Sequence, residues 1–232
     1  MRINHLALTL LFTGLGLSSP AVAAIAYSAP QQISGDTNVS TTGTLDRAYT
    51  FGGTATTVNG VAFSVFPNSS ADTATFASHP GNPYGGGASN PYGSLSSSYQ
   101  TLLSGGYYTD GTANATTASI TLNNLISSRN YQIELFVDDS RGGASAARTE
   151  SIDGQTVAYD VGDTAGGLGQ YLVGTFAASG TSQTINFADL GAADVQINAL
   201  ELRAAPEPAS LAFFAAGALG LLACRRTNRR NS

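Results

Sequence analysis

The sequence has no lysine, no tryptophan and a single cysteine, Cys224, which lies close to its end. Each shortage excludes a class of chemistry. The residues before the C-terminal segment can form neither a disulfide nor a thiolate nucleophile, so stability has to come from an ordinary packed core. Without lysine there is no P-loop, and Gly166-Gly167-Leu168-Gly169 is a turn rather than a phosphate cradle. Only two histidines occur, His5 and His79. His79 sits beside Pro80 in a glycine-rich stretch, a poor place to hold a Ser-His-Asp triad, and no local set of His, Cys and carboxylates offers a zinc site. The lack of tryptophan removes the largest platform for stacking on sugar rings.

The termini carry the clearest signals. Arg2 is followed by an apolar run from Leu6 to Leu17 and by Ala21-Val22-Ala23-Ala24, the order of a secretory signal peptide over residues 1–24, with signal peptidase expected to cut after Ala24 and Ala23 or Ala26 as alternatives. At the other end, Pro206-Glu207-Pro208 precedes an uncharged apolar segment, 209–224, and then Arg225-Arg226-Thr227-Asn228-Arg229-Arg230. An apolar run halted by arginines is a membrane stop with the cations left on the cytoplasmic side. As a helix it spans roughly 24 Å, short of the ~30 Å hydrocarbon core, so arginine stems have to snorkel. A plain anchor and a transient sorting helix both fit that length, and a buried globular helix is disfavoured by the four arginines at its end. Between these ends, residues 25–203 suffice for one domain with a single core. Five arginines against fourteen acids leave that body at −9, which argues against nucleic acid and anionic membrane surfaces as partners.

Gly, Ser, Thr, Ala and Asn dominate the body, and periodicity assigns it to strands. Tyr131, Ile133, Leu135 and Val137 alternate with Gln132, Glu134, Phe136 and Asp138, with Phe136 departing from a polar outer face. Ile120 and Leu122, and Ile185 and Phe187, alternate in the same way. Val195, Ile197 and Ala199 alternate until Leu200 and Leu202 change parity, which predicts a bulge near Ala199. Further strands are expected at Leu45–Phe51, Val61–Phe66, Thr73–Ala77, Thr149–Ile152, Gln155–Asp160 and Tyr171–Ala177. Asn59-Gly60 and Asp153-Gly154 are turn signals, the second predicting a two-residue hairpin. The one helical hint is Ser96–Leu103. Such a chain is all-β, a β-sandwich of jelly-roll type.

Three polar features stand out. Asn82-Pro83-Tyr84-Gly85 recurs as Asn90-Pro91-Tyr92-Gly93 within 78–98. It reads either as an exposed loop whose tyrosines stack on sugars or as two copies of a flexible turn. Asp138-Asp139-Ser140-Arg141 ends the best strand. Asp138 and Asp139 are candidate Ca²⁺ ligands, with Asp160 and Asp163 as possible additions. Equally, the pair can accept backbone N–H groups or bind Arg141 or Arg148. No other cofactor is called for. Tyr84, Tyr92, Tyr107, Tyr108 and Arg141 are the candidate ligand-binding residues for a polysaccharide. Glu134 and Glu150 are the acids a weak glycoside hydrolase would need.

The Pro206-Glu207-Pro208 triplet, apolar helix and Arg225-Arg226 cluster resemble the PEP-CTERM sorting signal of bacterial exported proteins. The resemblance implies recognition by an exosortase, passage through the inner membrane as a sorting intermediate, and delivery to the cell surface or an exopolysaccharide matrix. The body, from Ile33–Thr44 through Thr57–Phe63, Tyr99–Leu103, Tyr131–Arg141 and Gly169–Phe176 to Gln196–Leu200, resembles a domain recurring in such proteins. That domain is similar to galactose-binding-like jelly rolls. The favoured expectation is a non-catalytic surface or matrix protein, with a carbohydrate-binding module and a weak hydrolase as alternatives.

Overall fold

The computed structural model describes residues 24–67, 69, 71–76, 89–109, 117–141, 148–160, 166–191 and 194–205, and the backbone of 78–83. Its strands, in chain order, are β1 (Ala26–Tyr27), β2 (Gln31–Gln32), β3 (Thr44–Thr50), β4 (Thr56–Val58), β5 (Val61–Val65), β6 (Asp72–Ala74), β7 (Ser78–Pro83) and β8 (Gly105–Tyr108). There follow β9 (Thr117–Leu122), β10 (Asn130–Val137), β11 (Thr149–Ile152), β12 (Gln155–Ala158), β13 (Gln170–Ala177), β14 (Gln183–Asp189), β15 (Gln196–Ile197) and β16 (Ala199–Ala204). One short helix, α1 (Ser97–Leu103), starts where Ser96 caps the Tyr99 N–H with its hydroxyl at 3.1 Å.

The protein is an all-β sandwich. One eight-stranded sheet runs β1-β13-β10-β16-β3-β5-β4, with β2 also paired to β13, and faces a five-stranded sheet, β12-β11-β14-β9-β6. The alternating residues of β10 point inward as their period demands. Tyr131, Ile133, Leu135 and Val137 meet Ile120, Leu122, Ile152, Ile185 and Phe187 of the opposing sheet in the main core. Asp72, on β6, ties the sheets together. It is fully buried and receives Arg47 Nη1 from β3 on both oxygens at 2.8 Å, with the Tyr49 hydroxyl at 2.9 Å.

The turns follow from their residues. Asn59 (φ 48°) with Gly60 (φ 78°), and Asp153 (φ 46°) with Gly154 (φ 90°), take the paired left-handed conformations of two-residue hairpins. Val58 faces Val61, and Ile152 faces Gln155.

Several expectations need correction. Phe136 marks a second core. The outer face of the large sheet is covered as well, and Phe136, Ala48, Phe63 and Ala199 pack there under Tyr99, Leu102 and Leu103 of α1, with Ile33, Val39 and Tyr92. The parity change at Ala199 is a change of sheet. Gln196 and Ile197 pair with β8 in a small third sheet, and Ala199 onward pairs with β10 and β3. The register shift of β16 lies at Leu202/Arg203, where Arg47 and Leu45 are the partners and Asp46 is the extra residue of β3. Nor is 78–98 one exposed loop, since β7 pairs with β8, and Tyr92 is the buried residue of a 3-10 turn. Gly166–Gly169 is a buried turn.

Leu135 is fully buried in the main core. Leu135→Ala is expected to cost about 2–5 kcal/mol in denaturant unfolding. A cost near zero would mean the core closes without this strand.

Candidate functional site

The richest polar constellation lies where β10 ends. Asp138, Asp139 and Ser140 are all buried there, at 1 %, 0 % and 2 % exposure. Three chain segments hold this corner. The Asp138 N–H donates to Asn198 Oδ1 at 2.8 Å, and the Asp139 N–H donates to the Tyr159 carbonyl at 2.9 Å. The Gly166 N–H donates to the Ser140 carbonyl at 2.7 Å, and the Gly169 N–H to Asp138 Oδ1 at 2.7 Å. Glycine is required at 169 because a Cβ would stand 1.9 Å from the Val137 carbonyl oxygen.

The two aspartates have different surroundings. Asp139 receives Arg141 Nε at 2.7 Å and Nη2 at 2.6 Å, and Arg148 Nη1 at 3.1 Å. Arg148 continues to Asp194 Oδ2 at 3.2 Å and lies over the Tyr159 ring, its guanidinium carbon 4.8 Å from the centroid. Asp139 is thus an arginine-bound turn residue. Asp138 keeps a backbone N–H alone. Burial pushes its carboxyl well above the ordinary range, against the Gly169 N–H, and the neighbouring Asp139 and Asp160 push the same way.

Glu150 lies nearby on β11 with no exposure. Its Oε2 accepts from the Gln196 N–H at 2.7 Å and the Tyr159 hydroxyl at 3.1 Å, and burial raises its pKa to about 8. A separate pair, Glu134 and Glu201, sits directly across β10 and β16. Glu201 takes Arg203 Nε, Glu134 takes the Ser40 N–H at 3.0 Å, and burial followed by the Glu134 charge raises Glu201 to about 7. Glu134 and Glu150 lie on strands of different sheets, each held by its own backbone N–H, from Ser40 and from Gln196.

The candidate sugar-binding residues that the structure describes have separate surroundings. Tyr92 is 2 % exposed, with its hydroxyl donating to the Gln100 carbonyl at 2.8 Å. Tyr107 packs among Phe51, Phe66 and Phe76 in the main core. Neither ring faces solvent as a stacking platform. Tyr108 is half-buried opposite Gln196, and Arg141 is exposed with its head on Asp139. Tyr84 and Asp163, and the sorting residues Pro206, Glu207, Pro208, Arg225 and Arg226, lie outside the described residues. Among the described residues, no three His, Cys, Asp or Glu side chains group as a metal cluster, and no helix is long and apolar enough to cross a membrane. The residues that sequence did not single out are Asn198, Asp194 and Glu201. The parity break beside Asn198 was the one signal pointing at any of them.

A family model, the PEP-CTERM protein-sorting motif, matches residues 204–230. No curated protein matches the chain. The motif marks an exported protein sorted by an exosortase through a membrane-anchored intermediate. Its first two residues belong to the fold. Ala204 ends β16 opposite Tyr131 and Thr44, and the Ala205 N–H donates to the Asn130 carbonyl at 2.9 Å.

Glu150 and Glu201 bind protons more tightly folded than unfolded, from the ordinary 4.5 up to about 8 and about 7. Their contribution to stability is fully present below about pH 4.5 and is lost as pH rises through those values. For the fully buried Glu150 the effect is on the order of 5 kcal/mol, at about 1.4 per unit. Denaturant melts should therefore show stability declining from about pH 5 to about pH 8. Glu150→Gln keeps the acceptor oxygen and should flatten most of that decline; an unchanged profile would show that Glu150 is ionised in the fold.

Proposed function

We propose that this protein is a non-catalytic component of the cell surface or extracellular matrix, with a β-sandwich body of jelly-roll type over 25–203, delivered through its C-terminal signal. The match to the sorting motif at 204–230 carries the reading. The signal peptide over residues 1–24 brings the chain across the inner membrane and is removed by signal peptidase. The 209–224 helix then holds the chain in that membrane with Arg225 and Arg226 on the cytoplasmic side, and exosortase acts at the Pro206–Pro208 end.

A non-catalytic body is supported by how its acids are used. Asp72 joins the two sheets, Asp139 binds two arginines, and Glu150 accepts a backbone N–H from the start of β15. These are structural tasks. The body also begins and ends at one place, because Ala24, after which signal peptidase cuts, and Ala205 line the same surface groove with Asn130, Thr175 and Phe176. The mature N-terminus and the sorting signal therefore leave from one end of the sandwich.

The test is expression in a host that supplies an exosortase, followed by fractionation. The unaltered chain is expected at the surface or in the matrix. Glu207→Ala, or removal of 206–232, should lower surface delivery by an order of magnitude while the body stays protease-resistant, since none of the hydrogen bonds described here depends on the tail. Normal display of the truncated chain would refute sorting through this signal.

A further inference from the structure

The chain leaves the body close to a membrane. Beyond Ala205, whose N–H is bonded to the Asn130 carbonyl, only 206–208 precede the apolar segment 209–224. Four residue steps, fully extended, reach about 14 Å. The headgroup layer on each side of the hydrocarbon core is itself about 5–8 Å thick. With 209–224 in the membrane, the end of the sandwich at Ala205 therefore stands against the headgroups. The turn between β9 and β10 lies at this end. The Leu125 N–H donates to the Thr181 carbonyl at 3.0 Å, the Ile126 N–H to the Tyr131 hydroxyl at 3.0 Å, and the Ser128 N–H to the Ala178 carbonyl at 2.7 Å. Although its backbone is pinned in this way, Ile126 is 57 % exposed, the most open of the large apolar residues described. Leu45, at 38 %, stands at the same end, on the stretch of β3 that pairs with Arg203 and Ala204.

Charge is arranged to match. The −9 of the body is a sum over all of it, and none of its fourteen acids falls in 24–27, 43–45, 123–130, 177–183 or 204–205, the stretches that meet at this end. Asp46, which follows Leu45, and Asp72, which accepts the Asn123 N–H, are both held by Arg47. Arg129 has no ion pair among the described residues, whereas Arg47, Arg141, Arg148 and Arg203 each have one. Ile126, Ser127, Ser128 and Arg129 line a surface groove, which presents one apolar group, two hydroxyls and one cation together. That set suits a phosphodiester headgroup with acyl chain beneath it. We propose that the Ile126–Arg129 turn, together with Leu45, is a lipid-contact surface that seats the body end-on against an anionic phospholipid bilayer. The inference rests on the reading of 209–224 as the membrane segment of the sorting intermediate. One cation and two apolar side chains bind too weakly to hold a free protein on a membrane, and the short tether supplies the effective concentration they need. The acids elsewhere on the body repel the same lipid, so this end alone is tolerated against it. Cutting the tail removes the tether and with it the contact, as a body bound for the surface or matrix requires.

The absence of tryptophan makes a direct test possible. The full-length protein, exported in a host without exosortase, is purified and reconstituted into vesicles of phosphatidylcholine and phosphatidylglycerol. Three single-tryptophan variants are compared, Ile126→Trp, Leu45→Trp and Leu190→Trp. Leu190 is 49 % exposed and follows β14 at the end away from Gln183, so it reports on the far side of the body. Emission wavelength and quenching by brominated phosphatidylcholine read lipid contact, and flotation at alkaline pH reads anchoring separately. All three variants should float. Emission of Ile126→Trp and of Leu45→Trp should shift to the blue and be quenched several-fold more than that of Leu190→Trp. Adding Arg129→Glu to Ile126→Trp should lower the quenching, most of all in vesicles rich in phosphatidylglycerol. The Leu45→Trp reporter keeps the test decisive if the change at 126 disturbs its turn. Floating protein whose 126, 45 and 190 reporters are all quenched alike, or all unquenched, would overturn the proposal and leave the anchor standing. Quenching that appears only when exosortase is added would overturn it too, by assigning this end to the enzyme. Failure to float would remove the anchor and the proposal together.

Discussion

Asn198 is the residue on which the arrangement of this molecule turns. It sits fully buried at the step where the chain leaves the small sheet and enters the large one, between β15 and β16. Its Oδ1 accepts the Asp138 N–H, and its Nδ2 donates to the carbonyls of Leu103, Gly105 and Asp138 at 2.8, 3.2 and 3.1 Å. Its own backbone joins Phe136 and Phe51. One planar amide thereby closes the end of α1, the start of β8, the end of β10 and the approach to β16. Only a side chain that donates and accepts from one rigid group can do this. Aspartate cannot donate, and leucine would leave these backbone groups without their partners, at about 1–3 kcal/mol each. The placement of Asp138, and so of the whole acidic corner, depends on that amide.

The second constraint is that the central strands are covered on both sides. A sandwich normally wets the outer face of each sheet, but α1, the 3-10 turn at Tyr92 and the segment from Ile33 to Val39 roof the large one. Polar residues on that face become buried, which is why Glu134, Glu201 and Arg203 occur as a cluster rather than as solvated side chains. Using arginine as its only long cation suits this body. A guanidinium reaches two acids at once, as Arg47 does with Asp46 and Asp72 and Arg148 with Asp139 and Asp194. An ammonium would satisfy fewer of these directions.

Local rules made much of this legible. Alternation found β10 and the inward set of Tyr131, Ile133, Leu135 and Val137. Asn-Gly and Asp-Gly found both hairpins, and Ser96 marked the start of α1. The second core was legible only as two irregularities, Phe136 on an outer face and the parity break at Ala199, because its roof comes from residues distant in sequence. The site was readable in composition and not in pairing. Adjacent Asp138 and Asp139 look equivalent along the chain. They differ because successive strand residues point to opposite sides, so that Asp139 meets Arg148 and Asp138 meets Gly169, 31 residues away. Tyr92 looked like a loop tyrosine because its Asn-Pro-Tyr-Gly neighbourhood is turn chemistry, which says nothing about which side of a turn is buried.

The order of elements connects this fold to its sorting. β16, the last strand of the body, lies inside the large sheet between β10 and β3. The sheet cannot close until residues 199–204 are available, and these immediately precede the matched motif. During export the body therefore stays incomplete until its final strand has crossed, at the moment the sorting signal reaches the membrane. Long-range pairing of this kind is intrinsically slow, since loop closure comes before the reward of contact. Once β16 is paired on both edges, Ala204 is held in register and the Ala205 N–H is bonded to the Asn130 carbonyl. The sorting motif thus begins on the last residue of a strand that is paired on both edges, so the closing element of the sheet and the start of the motif are one and the same stretch of chain.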